Sequence, residues 1–193
     1  MSQAPHLLQE GLRARVALLT TTLCPSTMQN YRRVVRRFLD YLDEFFPEVR
    51  RPDQLRRDPH MLGWFQSLWA GRGRSRSNSV RGGDVIRLRK LLDLLADHAF
   101  PPSPGLILSQ DIPRPDQTLP RPLSPEDDAR LIAELRQRND LFSDALLLTR
   151  LTGMRIGETA NLVTDCLRHL GEDRWSIHVP VGKLHNDRLV PVE

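Results

Sequence analysis

The clearest place for chemistry in this chain of 193 residues is Leu151-Thr152-Gly153-Met154-Arg155-Ile156-Gly157-Glu158. It puts an arginine at the expected start of a helix just after a glycine turn. Free N–H groups and the positive end of a helix dipole favour an anion there. A guanidinium in that position can donate to two phosphate oxygens at once. The same residues also describe a plain surface pair, Arg155 with Glu158 at i, i+3, worth about 0.3 kcal/mol, and composition alone favours that plainer description. The other candidates are Lys183, in turn material spanning Gly182 to Asp187, and two arginine groups: Arg32, Arg33, Arg36 and Arg37, then Arg72, Arg74 and Arg76. Asp165, Cys166, His169 and Asp173 lack metal-ligand spacing, so neither a metal nor another cofactor is expected.

The charge is unevenly placed. Of 28 basic residues, 26 are arginine, and the formal net charge is +4. A GC-rich genome would also produce such an arginine bias, so the location of the charge is more informative than the count. Residues 1–118 carry 18 basic and 12 acidic groups, net +6, whereas residues 119–193 carry 10 and 12, net −2. A basic N-terminal module facing a polyanion is the expectation, with double-stranded DNA as the partner. Cys24 and Cys166 lie too far apart in sequence for a disulfide framework, which points to a reducing, cytoplasmic setting. No apolar run approaches the roughly 20 residues that span a bilayer, so no membrane partner is expected. The stretch Leu7 to Leu19 is interrupted by Glu10, Arg13 and Arg15 and makes a poor leader peptide.

These side chains need elements to position them. Ser26 to Phe46 reads as a helix, with Ser26 as cap and Gln29 as its capping-box partner. Tyr31, Val34, Val35, Phe38, Leu39, Leu42 and Phe45 follow the helical period, with the four arginines on the other side. A second helix is expected from Asp58-Pro59 to Gly71, burying Met61, Leu62, Phe65, Leu68 and Trp69. A third is expected over Val80 to Ala99, weakened at its start by Gly82 and Gly83. All three tryptophans, Trp64, Trp69 and Trp175, are expected in the core. Seven of the 15 prolines fall in residues 101–122, which predicts a linker. Beyond it, helices are expected over Pro125 to Arg138, Asp140 to Leu151 and Arg155 to Leu162. Alternation then predicts a β-hairpin, with Trp175, Ile177 and Val179 facing one way and His178 solvated on the other face.

TGMRIGE followed by VGKLHNDRLVPV resembles the tyrosine recombinase (phage integrase) family, whose members carry T-G-[LM]-R-x-x-E and then a G-K-x-x-x-x-R-x-V-P-[LV] hairpin. Ser26-Thr27 leading into the Tyr31/Phe38/Leu42 helix is similar to the family's core-binding domain, and LSPEDDARLIAEL to the start of its catalytic domain. The resemblance implies a mainly α fold: a helical, SAM-like core-binding domain over 16–102 and a proline-rich linker over 103–120. The N-terminal part of an α+β catalytic domain, with its β-hairpin, would follow over 121–193. It implies Arg155 and Lys183 as catalytic residues and the two arginine groups as DNA contacts, in phosphoryl transfer through a tyrosine without a metal. The family's His-x-x-Arg arginine and tyrosine nucleophile lie downstream of the hairpin. The expectation is therefore a truncated chain that binds DNA, does not cleave alone, and forms a homo-oligomer on DNA only in full-length relatives. Tyr31 and Tyr41 are expected to be structural. The alternatives are a non-catalytic DNA-binding or regulatory protein of the same fold, and an inert module whose arginines only confer solubility.

Overall fold

The structure is a computed structural model and describes residues 7–69, 76–117, 119–172, 174–180 and 187–192. The chain divides into two compact units, Met1–Thr118 and Leu119–Glu193. The described residues are mainly helical, with one three-stranded antiparallel sheet. None of their helices is long and apolar enough to cross a membrane.

In the first unit, helix α1 (Leu7–Leu19) buries Leu8, Leu12 and Val16, one residue per turn. Its charged residues, which spoil it as a leader, stay off that line. Helix α2 (Pro25–Phe45) begins one residue earlier than expected. Pro25 fits the first turn, so Cys24 becomes the cap residue and Ser26 lies inside the helix. The apolar stripe packs as the period predicts from Tyr31 to Leu42, but Phe45 at its end is exposed. Asp58 has the extended torsions of a cap residue (φ −111°, ψ 128°), and helical backbone follows from Pro59 into α3 (Leu62–Trp69). Trp64 meets Phe38 edge-to-face at 5.4 Å between ring centroids, in the middle of the core. Helix α4 (Asn78–Asp93) is capped by the Ser77 side chain, which accepts from the Val80 N–H. It stops six residues short of the expected end, although Leu95 beyond it is still buried. The expected end of the second helix at Gly71 lies outside the described residues.

The proline-rich stretch is largely a strap on this unit rather than a free linker. Leu106 and Ile107 are buried in its core. Arg57 forms a two-pronged bond to Asp111, at 2.5 and 2.7 Å, and donates to the Leu106 carbonyl. Asn78 donates to Asp116 at 2.6 Å. Proline limits the entropy the strap loses on docking, which is why a segment that cannot form helix or sheet can still be ordered. Gly82 is what admits it: a Cβ at that position would lie 2.9 Å from the Pro113 carbonyl oxygen.

In the second unit, α5 (Pro125–Arg138) starts where predicted. Ser124 accepts from the Asp127 N–H, and Glu126, Asp127 and Asp128 complement the dipole. Helix α6 (Leu141–Thr152) is capped by Asp140 and ends at Gly153, whose φ of 66° is the left-handed closure that glycine tolerates. Arg150 grips Asp128 across the α5/α6 pair. The third helix, α7, is only Ile156–Thr159. The sheet has the order β1-β2-β3, with β1 Leu167–His169, β2 Trp175–Val179 and β3 Arg188–Val192. The predicted hairpin is β2/β3, in the register Val179↔Arg188 and Ile177↔Val190; β1 adds a strand that the alternation does not predict. Met154, Ile177 and Val179 form the buried centre. Trp175, at the end of β2, is exposed and lies against His169. Ser176 is buried instead, so the simple inside/outside alternation does not hold along β2.

Gly82→Ala should detach the strap from α4. The expected outcome is a drop of about 1–3 kcal/mol in urea unfolding, the usual cost of forcing a methyl into a filled space, together with faster proteolysis within residues 101–117 than in the parent protein.

Candidate functional site

Helix α7 is the third side of a small cluster built on Glu158. Three local facts put it there. Gly153 turns the chain out of α6, with its N–H returned to the Thr149 carbonyl. The Thr149 and Thr159 hydroxyls meet at 2.9 Å and tie α6 to α7. Met154, between them, is buried. Glu158 is thereby held with its side chain 7% exposed, and a carboxylate so enclosed stays ionised only if donors reach it.

Three groups do. The Arg155 backbone N–H donates to Oε2 at 2.9 Å, and its Nη1 donates to Oε1 at 2.8 Å. From β3, Arg188 donates through Nη1 to Oε1 at 3.1 Å and through Nη2 to Oε2 at 2.8 Å. The Arg188 bonds, then the Arg155 backbone bond, pull the Glu158 carboxyl down to about 2. The same contact raises Arg188 above the ordinary arginine value. Two guanidiniums and one carboxylate leave a net single positive charge. Both arginine side chains keep a solvent-facing part, at 54% and 41% exposure. Beside them, His178 Nε2 lies 3.2 Å from Asp187 Oδ2, so His178 is partnered rather than simply solvated.

This differs from the expected anion cradle. A four-residue helix has almost no dipole to offer, and the Arg155 N–H is already given to Glu158. What the fold supplies instead is a braced pair of side chains able to meet a phosphate from outside. In the sequence, Arg188 stands out by its place in the G-K-x-x-x-x-R spacing. Residues 185–188 also spell His-x-x-Arg, a second available signal, although here the arginine opens a hairpin strand. Lys183 and His185 lie outside the described residues, as do Arg72 and Arg74.

The arginine stripe of the first unit splits into two rows. Arg37 turns inward: its Nη1 bonds Asp84 at 2.8 Å, and Asp84 is 1% exposed. This corrects the expectation of Arg37 as a DNA contact on an outward face: its acidic partner comes from α4, 47 positions away. Burial lowers Arg37 below the ordinary arginine value, helped by the charges of Arg76 and Arg33 and opposed by Asp84. Arg33, Arg37 and Arg76 therefore share one neighbourhood. Arg33 itself donates to Asn30 at 2.6 Å, a neutral partner. Arg32 and Arg36 face the other way, into a groove of about 480 Å³ between α1 and α2 that Arg13, Asp40 and Asp43 also line. Tyr31 and Tyr41 are both buried, at 6% and 9% exposure, and burial raises the Tyr41 hydroxyl further from ionisation. Among the described residues, no group of three or more His, Cys, Asp or Glu side chains is placed to hold a metal ion.

No protein-family model matches the chain, and no curated protein matches it.

Because the folded state holds Glu158 below the ordinary carboxyl range of about 4.3, the contribution of this cluster to stability is present above that range. It is lost as pH falls from there through about 2. Thermal melts across that window should show wild type losing its advantage over Glu158→Gln as the pH drops. Parallel curves for the two proteins would show that the cluster does not couple to folding.

Proposed function

We propose that this chain is a DNA-binding protein of the tyrosine recombinase type, which grips the phosphate backbone without cutting it by itself. The observation that carries the proposal is the convergence of Arg155, from TGMRIGE, and Arg188, from the GKLHNDRLVPV hairpin, on one enclosed carboxylate. Positioned guanidiniums aimed at a phosphate are what phosphoryl transfer needs, since that chemistry rests on placement and charge stabilisation. Glu158 orients the two arginines and cancels half of their charge, leaving the pair cationic and rigid. Lys183 fits the hairpin position from which relatives of this type protonate the leaving oxygen.

The buried tyrosines favour binding without cleavage. An attacking tyrosine has to be brought to the phosphate, whereas Tyr31 and Tyr41 are packed in the core of the first unit, at 6% and 9% exposure. In the first unit, Arg32, Arg33, Arg36 and Arg76 supply sequence-independent phosphate contacts, which position a protein on the duplex rather than read bases. A non-catalytic, regulatory role within the same fold rests on these same features.

Anisotropy titrations of a labelled blunt duplex over a range of salt test the proposal. Affinity should fall steeply with salt, and Arg32→Ala/Arg36→Ala should flatten the log–log slope by about 2, close to one for each phosphate that is no longer neutralised. No covalent adduct should form on a nicked, trapped duplex. Absent or salt-independent binding overturns the DNA reading, and a phosphotyrosyl link at Tyr31 or Tyr41 overturns the non-cleaving one.

A further inference from the structure

Trp69 ends α3 on the surface, 60% exposed, while Trp64 and Leu68 of the same helix are 1% and 4% exposed. A lone exposed apolar side chain is ordinary. This one is braced. The Arg81 guanidinium carbon lies 4.0 Å from the indole centroid, and Arg81 is itself only 9% exposed. Arg81 Nη2 is bonded to Asn78 Oδ1, and Asn78 is bonded to Asp116 of the strap. One face of the ring is thus stacked on a fixed cation, and much of its remaining surface is open to solvent.

The surroundings are cationic. Arg81 stands one turn before Asp84 on α4, and Asp84 receives Arg37. Arg37 in turn feels Arg76 and Arg33. An exposed indole backed by an arginine, on a unit that carries further arginines, is the kind of platform on which nucleobases stack while the phosphates are held electrostatically. The ring is already ordered, so little side-chain freedom is lost on binding. Duplex interiors do not offer a base face, so the ligand has to carry an unpaired one.

We infer that Trp69, backed by Arg81, is a stacking site for an unpaired nucleobase next to duplex DNA. The inference rests on the DNA-binding reading above and adds a preference to it: junctions and single-stranded ends over blunt duplex. Phosphate contacts alone give no such preference.

The test uses the full chain with Trp175→Phe, so that Trp69 is the only solvent-accessible indole remaining alongside buried Trp64. A blunt duplex and the same duplex with a short single-stranded overhang are titrated at one fixed salt concentration. Binding of the overhang should quench the tryptophan emission, and binding of the blunt duplex should not. Trp69→Ala should weaken overhang binding about tenfold, the typical worth of one stacked base, and leave blunt-duplex affinity and salt slope unchanged. Trp69→Phe should retain part of the preference, which separates stacking from a folding defect. Equal affinities of wild type and Trp69→Ala for the overhang, or overhang binding without quenching, overturn this inference while the DNA reading stands. Failure of wild type to bind either duplex overturns both.

Discussion

A carboxylate taken out of water is costly unless donors are brought to it, and each unit of this protein encloses one that arginine reaches. In the second unit it is Glu158, which draws Arg155 from the start of α7 and Arg188 from the start of β3 onto its two oxygens. That convergence adds a polar tie between the β2/β3 hairpin and α7 to a small apolar centre, which among the described residues is buried Met154, Ile177 and Val179 with Leu148, Leu162, Cys166 and Val190 packed around them. In the first unit Asp84 plays the corresponding part, held under α2 by Arg37. Burying a charge is costly and removing one partner of such a pair is costlier still. These contacts therefore specify geometry more than they add stability. In the second unit charge and position are linked in the same side chains: Arg155 and Arg188 reach the buried acid and still keep solvent-facing parts, whereas Arg37 of the first unit turns inward.

The first unit shows how little of its electrostatics is a matter of helix faces alone. Arg32 and Arg36 lie one turn apart, as do Arg33 and Arg37, and the two rows are separated by about 100° of helix rotation. That angle sends one row toward α1 and the other toward α4. On the α4 side Arg37 meets buried Asp84, and Arg81, one turn earlier on α4, lies under the exposed Trp69 indole. The strap of residues 101–117 is tied to this unit through Asp111 on Arg57 and through Asp116 on Asn78, which in turn holds Arg81.

Much of this is legible in the sequence where the signal is periodic or local. The α2 stripe from Tyr31 to Leu42, the acidic start of α5 at Ser124-Pro125 and the β2/β3 hairpin follow from spacing and capping. Strand β1 does not, because Leu167–His169 is too short to show alternation. Helix α1 is obscured by Glu10, Arg13 and Arg15, which break the hydropathy of the stretch without breaking its i, i+4 apolar line. The Pro-rich strap reads as a linker because what orders it is tertiary: Gly82, Arg57 and Asn78 all lie far from it in sequence. For the same reason Arg155 can be found from sequence but its geometry cannot. The i, i+3 partner Glu158 is visible there, whereas the arrival of Arg188 from 30 positions away requires the fold. The exposure of Trp69 and Trp175 also runs against composition, since tryptophan is usually found inside.

Glu158 acts as a positioning group rather than as one more surface charge if the duplex affinity of Glu158→Gln moves against its change in net charge. The substitution removes a negative charge and raises the net charge by one, so electrostatics alone makes DNA binding tighter at a given salt concentration. If Glu158 instead holds Arg155 and Arg188 in place for phosphate, releasing them makes binding weaker despite the added positive charge. Weaker binding of folded Glu158→Gln is the predicted result. Equal or tighter binding would contradict the account.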